Sequence, residues 1–150
     1  HLDRGMSLLQ QLAASPVRDA YELDLCTTLA MGWVALQGWV HPNVVSNLER
    51  AWHLEQTLKR ADHSLRILYG QWLIRLGSGR NRESLPWAEL MLSEGERNHR
   101  EDLSLVGHCA AANSYFFLGD LTQLTQHTHA TVARYDLARF GAEVFRPSPR

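Results

Sequence analysis

The chain has 150 residues, 45% of them hydrophobic and 21% charged, with a formal net charge of −1 at pH 7. That is ordinary globular composition for a chain long enough to hold a core, so disorder and fibre are excluded. The near-neutral balance gives no overall electrostatic reason to expect nucleic acid, an anionic membrane or a strongly charged substrate.

No run approaches the roughly 18 apolar residues of a membrane span, and His1 to Gln11 are mixed in character rather than a basic region followed by an apolar one. A membrane segment or secretory signal is therefore not expected. The chain lacks an initiator methionine and opens inside an amphipathic pattern of Leu2, Met6, Leu9 and Leu12 or Ala13, which points to an excised piece of a larger protein. Cys26 and Cys109 both fall in apolar helical patterns without metal-type spacing, so buried thiols in a reducing, cytoplasmic setting are expected.

In chain order, a first helix over roughly 2–14 reads as half of an earlier pair and stops before Ser15-Pro16. A long helix from about Val17 to Leu36 carries Leu23, Cys26, Leu29, Ala30, Trp33 and Val34 at helical spacing, and Gly38 turns the chain. Pro42 opens the next helix, to about Lys59. A second pair, about 62–98, begins on Asp62 as cap, stops at Gly77-Ser78-Gly79, and resumes near Asn81 to Ser84 with Pro86 inside the first turn. The third pair, about 101–136, runs from Glu101 to Leu118, turns at Gly119, and uses Asp120 as cap. Thr122, Thr125, Thr128 and Thr131 lower the propensity of its last helix and are expected on its inward face, making it the weakest of the fold. A tail, 137–150, is expected to hold a short helical turn around Leu137 to Val144 before fraying.

Three stretches share one signature: a small residue, a bulky residue three positions on, and a later glycine. They are Ala30/Trp33/Gly38, Gly70/Leu73/Gly79 and, with Tyr115 as the bulky member, Ala112/Tyr115/Gly119. A small residue permits close helix crossing, the bulky one fills the cleft, and the glycine takes the left-handed turn after the helix. The period of about 40 predicts an all-α helical solenoid of about seven helices in a single domain.

The units resemble tetratricopeptide repeats, most closely at Tyr115-Phe116-Phe117-Leu118-Gly119-Asp120-Leu121. More narrowly, Glu22-Leu23-Asp24-Leu25, Gly38 to Val44, Gly70-Gln71-Trp72-Leu73, Ala88-Glu89-Leu90-Met91-Leu92 and Tyr135-Asp136 resemble the tetratricopeptide region that follows an ATPase module in large bacterial signalling proteins, of cyclase-linked or winged-helix regulator type. The resemblance implies a right-handed superhelix and a regulatory module that binds a protein, a peptide or a small inducer. Leu124, Thr128 and Thr131 depart from the repeat pattern.

No chemistry-bearing constellation emerges. His127 and His129 are two apart and cannot face one ion on a helix, no histidines stand at i, i+4, and there is no nucleophile motif or phosphate loop. The expectation is a chain without catalysis, metal or cofactor. Helix periodicity instead places ligand-groove candidates at Met31, Val34, Ile67, Gln71, Ile74, Arg75, Asn113 and Phe116. Partners expected there are a protein or peptide, or a small inducer, with self-association or packing on the parent's own domains as the alternative; neither nucleic acid nor membrane is expected.

Overall fold

The computed structural model describes residues 2–9 and 11–135, and all regular structure among them is helical. The seven helices are α1 (Leu2–Leu9), α2 (Pro16–Gln37), α3 (Pro42–Leu58), α4 (Ser64–Gly77), α5 (Asn81–Arg97), α6 (Glu101–Leu118) and α7 (Leu121–Arg134). The expected turn at Leu137 to Val144 and the motif residue Asp136 lie outside the described residues. The chain forms two compact units, His1–Trp87 and Ala88–Arg150, whose boundary falls inside α5.

Local chemistry explains where three of the helices begin. Ser15 Oγ accepts from the Arg18 N–H at 3.2 Å, with Pro16 opening α2. His41 Nδ1 accepts from the Asn43 N–H at 3.2 Å ahead of Pro42, and Asp120 Oδ1 accepts from the Gln123 N–H at 3.0 Å to start α7. Three boundaries differ from the sequence reading. α1 stops at Leu9, and residues 11–14, Leu12 among them, stay exposed rather than continuing the apolar face. Asp62 does not cap α4; the cap residue is His63, and the Asp62 carboxylate instead takes the Arg60 guanidinium, which holds it below the usual carboxylate range. Pro86 lies beyond the first turn of α5, where it removes one hydrogen bond to the Arg82 carbonyl.

Helix ends repeat with a spacing of 40 residues. After α4, the Gly79 and Arg80 N–H groups donate to the Leu76 and Arg75 carbonyls; after α6, Gly119 and Asp120 donate to Phe116 and Tyr115. Both glycines have positive φ, +72° and +79°. The ends of α3 and α5 match in the same way: Lys59 and His99, each at φ 52°, are followed by Arg60 and Arg100, whose N–H groups reach back to Glu55 and Gly95. Arg60 and Arg100 then fork onto Asp62 and Asp102. These overlapping returns satisfy the last carbonyls of a helix. The period therefore pairs Gly70 with Ala110, two residues earlier than the Ala112 of the sequence signature; both alanines are buried.

In the first unit, two apolar clusters form the core. Leu23, Cys26, Ala51, Leu54 and Ile67 join α2, α3 and α4 at one level, with Met6, Trp52 and Leu58 against them. Ala30, Val44, Leu48 and Ile74 form the next level, flanked by Met31, Trp33, Val34, Trp39 and Val45. Glu22 of α2 adds a polar tie, accepting from Arg50 of α3 through Nε at 2.6 Å and Nη2 at 3.0 Å, which keeps its carboxyl below the ordinary value. The second unit buries Met91, Leu103, Leu105 and the run Ala110 to Ala112. In contrast, α7 buries none of its residues. Its Thr125 and Thr128 side chains are exposed rather than inward, and Thr125, Thr128 and Thr131 hydroxyls bond carbonyls of their own helix at 2.8–2.9 Å.

Glu55 is buried to 1% exposure in the core of the first unit, the deepest carboxylate among the described residues. One oxygen accepts from Ser64 Oγ at 3.1 Å, while Oε2 has no hydrogen-bond partner, and burial pushes its pKa up. A carboxyl with a raised native pKa binds more protons folded than unfolded, so stability falls as pH rises from the unfolded value of 4.5 through the folded one. Glu55→Gln is expected to remove that fall and to stabilise the neutral-pH protein by about 1 kcal/mol. Urea unfolding of both proteins across the acid-to-neutral range checks this; an unchanged pH slope would sink it.

Candidate ligand-binding site

The eight groove candidates do not share one open surface. Ile67, Gln71 and Ile74 are at most 2% exposed, and Met31 and Val34 are half-buried against the second apolar cluster. The physical reason lies in α4, which is apolar around most of its circumference and so is enclosed on several sides, with Ser64, Ile67, Leu68, Gly70, Gln71, Trp72 and Ile74 all buried. Counting a free inner face from the small residue does not hold for such a helix. Asn113 and Phe116, in the second unit, are exposed; Asn113 Nδ2 donates to the Cys109 carbonyl at 2.9 Å, and Phe116 meets Phe117 edge to face.

Arg75 is different in kind. Its guanidinium is half-buried near the end of α4, and Nη1 donates both to the Gln71 carbonyl at 2.9 Å and to Gln71 Oε1 at 2.6 Å. Its Cζ lies 4.7 Å from the centre of the Trp87 ring, and Trp87 meets Trp52 edge to face at 5.4 Å. Among the described residues Arg75 forms no ion pair. Burial pulls its pKa down and the neighbouring Arg80 adds to this, with Glu49 and Glu83 opposing. Buried Gln71 thus acts as a positioning residue, fixing one edge of a cation whose charge no carboxylate neutralises. Trp52, which helical spacing offered with Ala51 for the inward face of α3, and Trp87, unremarked in the sequence reading, supply the aromatic wall. The signal that marks Trp87 is its place across the Gly79 turn, where the first turns of α5 fold back on the end of α4.

The same place in the second unit holds a related pair. Tyr115 and His127 stand 40 residues after Arg75 and Trp87, and their rings stack at 5.6 Å and 26°. His127 Nδ1 lies 3.0 Å from His108 Nδ1, a contact between α6 and α7 that helical spacing alone cannot foresee. Burial lowers the pKa of both histidines, and Arg134 adds to the effect on His108. No cluster of three or more His, Cys, Asp or Glu able to hold a metal ion occurs among the described residues.

The two thiols diverge. Cys26 is buried as expected, its pKa pushed up to about 11 by burial and by Glu22, which makes it a poor nucleophile. Cys109 is exposed, because its face of α6 is not covered within the second unit. An apolar hollow of about 370 Å³ lies between α1 and α2, lined by Leu9, Tyr21, Asp24, Leu25 and Thr28. Its one carboxylate, Asp24, is already held by His63 Nε2 at 2.9 Å. Among the described residues no helix is long and apolar enough to cross a membrane. No family model matches this chain, and no solved structure matches it either.

Proposed function

We propose that this chain is a non-catalytic, tetratricopeptide-like binding module, a sensor and scaffold within a cytoplasmic, multidomain bacterial signalling or transcription regulator. Its partner is a protein or peptide that places an acidic group on Arg75. What supports this reading is the half-buried guanidinium itself, held by Gln71, stacked on Trp87 and without an ion pair among the described residues. A desolvated cation gains most from a carboxylate that completes its fork, and the Trp52 and Trp87 faces suit an apolar neighbour of that carboxylate. The 40-residue repetition of helix ends supports the repeat architecture.

The reading is tested with an array of synthetic peptides carrying Asp or Glu beside Leu or Phe, scored by calorimetry. Acidic peptides should bind more weakly as salt rises, and Arg75→Ala should cost about 10- to 100-fold in affinity, the equivalent of one charge-assisted hydrogen bond. Arg75→Lys should rescue little, because an ammonium neither forks nor stacks as a guanidinium does. Binding that survives Arg75→Ala in a folded protein, or an array with no acidic binder, would overturn the proposal.

A further inference from the structure

We infer that His108 and His127 form an acid-released latch that holds α7 against α6. The inference is independent of the binding role assigned to Arg75. It rests on the 3.0 Å separation of the two Nδ1 atoms, one ring on each helix, and on the absence of any buried residue in α7.

With both imidazoles neutral, the Nδ1–H of one donates to the lone pair of the other; with one proton added, the imidazolium still donates to its neutral partner. A second proton ends the bond. Both Nδ1 atoms then carry hydrogen, and two positive rings face each other at hydrogen-bonding distance. The surrounding charges do not cancel this. From α7, Arg134 also faces His108; from α5, Glu96 faces His108 and Glu89 faces His127; from α6, the Tyr115 ring covers His127 without adding charge. The balance of burial and charge leaves both histidines below their ordinary value.

The sign follows by linkage. Docked α7 binds fewer protons than undocked α7 in the mildly acidic range, so docking is complete above the ordinary histidine value and weakens as pH falls through the lowered ones. α7 has no buried residue, and the hydroxyls of Thr125, Thr128 and Thr131 are engaged within the helix. Acidification therefore frees the last described helix and uncovers the α6 face beneath it, while the α2 and α3 core, which lacks such a pair, stays closed.

Amide hydrogen exchange on the full 150-residue chain, compared at about pH 7.5 and about pH 5 after correction for intrinsic rates, tests the latch. The opening equilibrium of α7 should rise severalfold at the lower pH while that of α2 and α3 does not. His108→Gln and His127→Gln, which keep a polar group but do not titrate, should each flatten the α7 response. Equal α7 protection at both pH values, or a response that persists in both variants, overturns the inference. Should the variants fail to fold, ring chemical shifts of the unaltered protein decide: the two histidines should titrate together, below the ordinary value and in step with α7 amides, and titration at or above it overturns the latch.

Discussion

Gly95→Ala is expected to destabilise the second unit by about 3 kcal/mol or more, an unusual cost for adding one methyl group. A Cβ at Gly95 would sit 2.7 Å from the Ser104 backbone nitrogen and 3.0 Å from the Arg100 carbonyl oxygen, with Ser104 Oγ also in its way. These are mostly backbone atoms, fixed by the return from Arg100 N–H to the Gly95 carbonyl at 2.8 Å, so no side chain can swing aside. The end of α5 and the start of α6 touch main chain to main chain there. Gly32→Ala serves as the control: a Cβ at Gly32, inside α2, meets nothing within 4 Å, and the change should stabilise by about 1 kcal/mol through helix propensity. Denaturant unfolding of the two variants checks both signs. A Gly95→Ala protein as stable as the parent would show that the α5–α6 approach is looser than described.

Gly70→Leu should be comparably severe in the first unit. Even a bare Cβ at Gly70 would lie 2.6 Å from Leu48 Cδ1 and 3.3 Å from the Trp39 ring, and both Gly70 and Leu48 are buried. A leucine there must push α4 off α3, at a cost of about 3 kcal/mol or more. The obstacle is the end of a side chain, so it can be relieved. Leu48→Ala alone should cost about 2–5 kcal/mol by leaving a cavity. Combined with Gly70→Leu it should cost clearly less than the two single changes added, since each fills or empties the same space. Strict additivity in a double-mutant cycle would contradict this contact.

Why Gly70 marks a helix crossing was legible in the sequence, because close approach leaves no other choice, and helix starts at Pro42 and Leu121 followed from proline and capping chemistry. The phase of the third unit was not. Ala110, Ala111 and Ala112 are three small residues in a row, all buried, and composition cannot say which one matches Gly70; the hydrogen bonds after Gly79 and Gly119 do. The groove was misread for a related reason. Alternation of apolar and polar residues tells which side of a helix avoids water, yet α4 is apolar nearly all round, so Ile67, Gln71 and Ile74 went inside. Arg75 was legible as a candidate, whereas Trp52, Trp87 and the His108–His127 contact depend on which helices meet across a turn. Periodicity within one helix carries no information about that.

α5 is a single helix whose first residues, to Trp87, belong to one compact unit and whose remainder, from Ala88, belongs to the other. Cutting the gene at that boundary would strand helical carbonyls on one fragment and helical N–H groups on the other, about four of each, because every hydrogen bond of the ladder spans four residues. Neither fragment would then be a fair sample of its half of the molecule. Dissection into halves therefore calls for fragments that overlap, each carrying the whole of Asn81–Arg97.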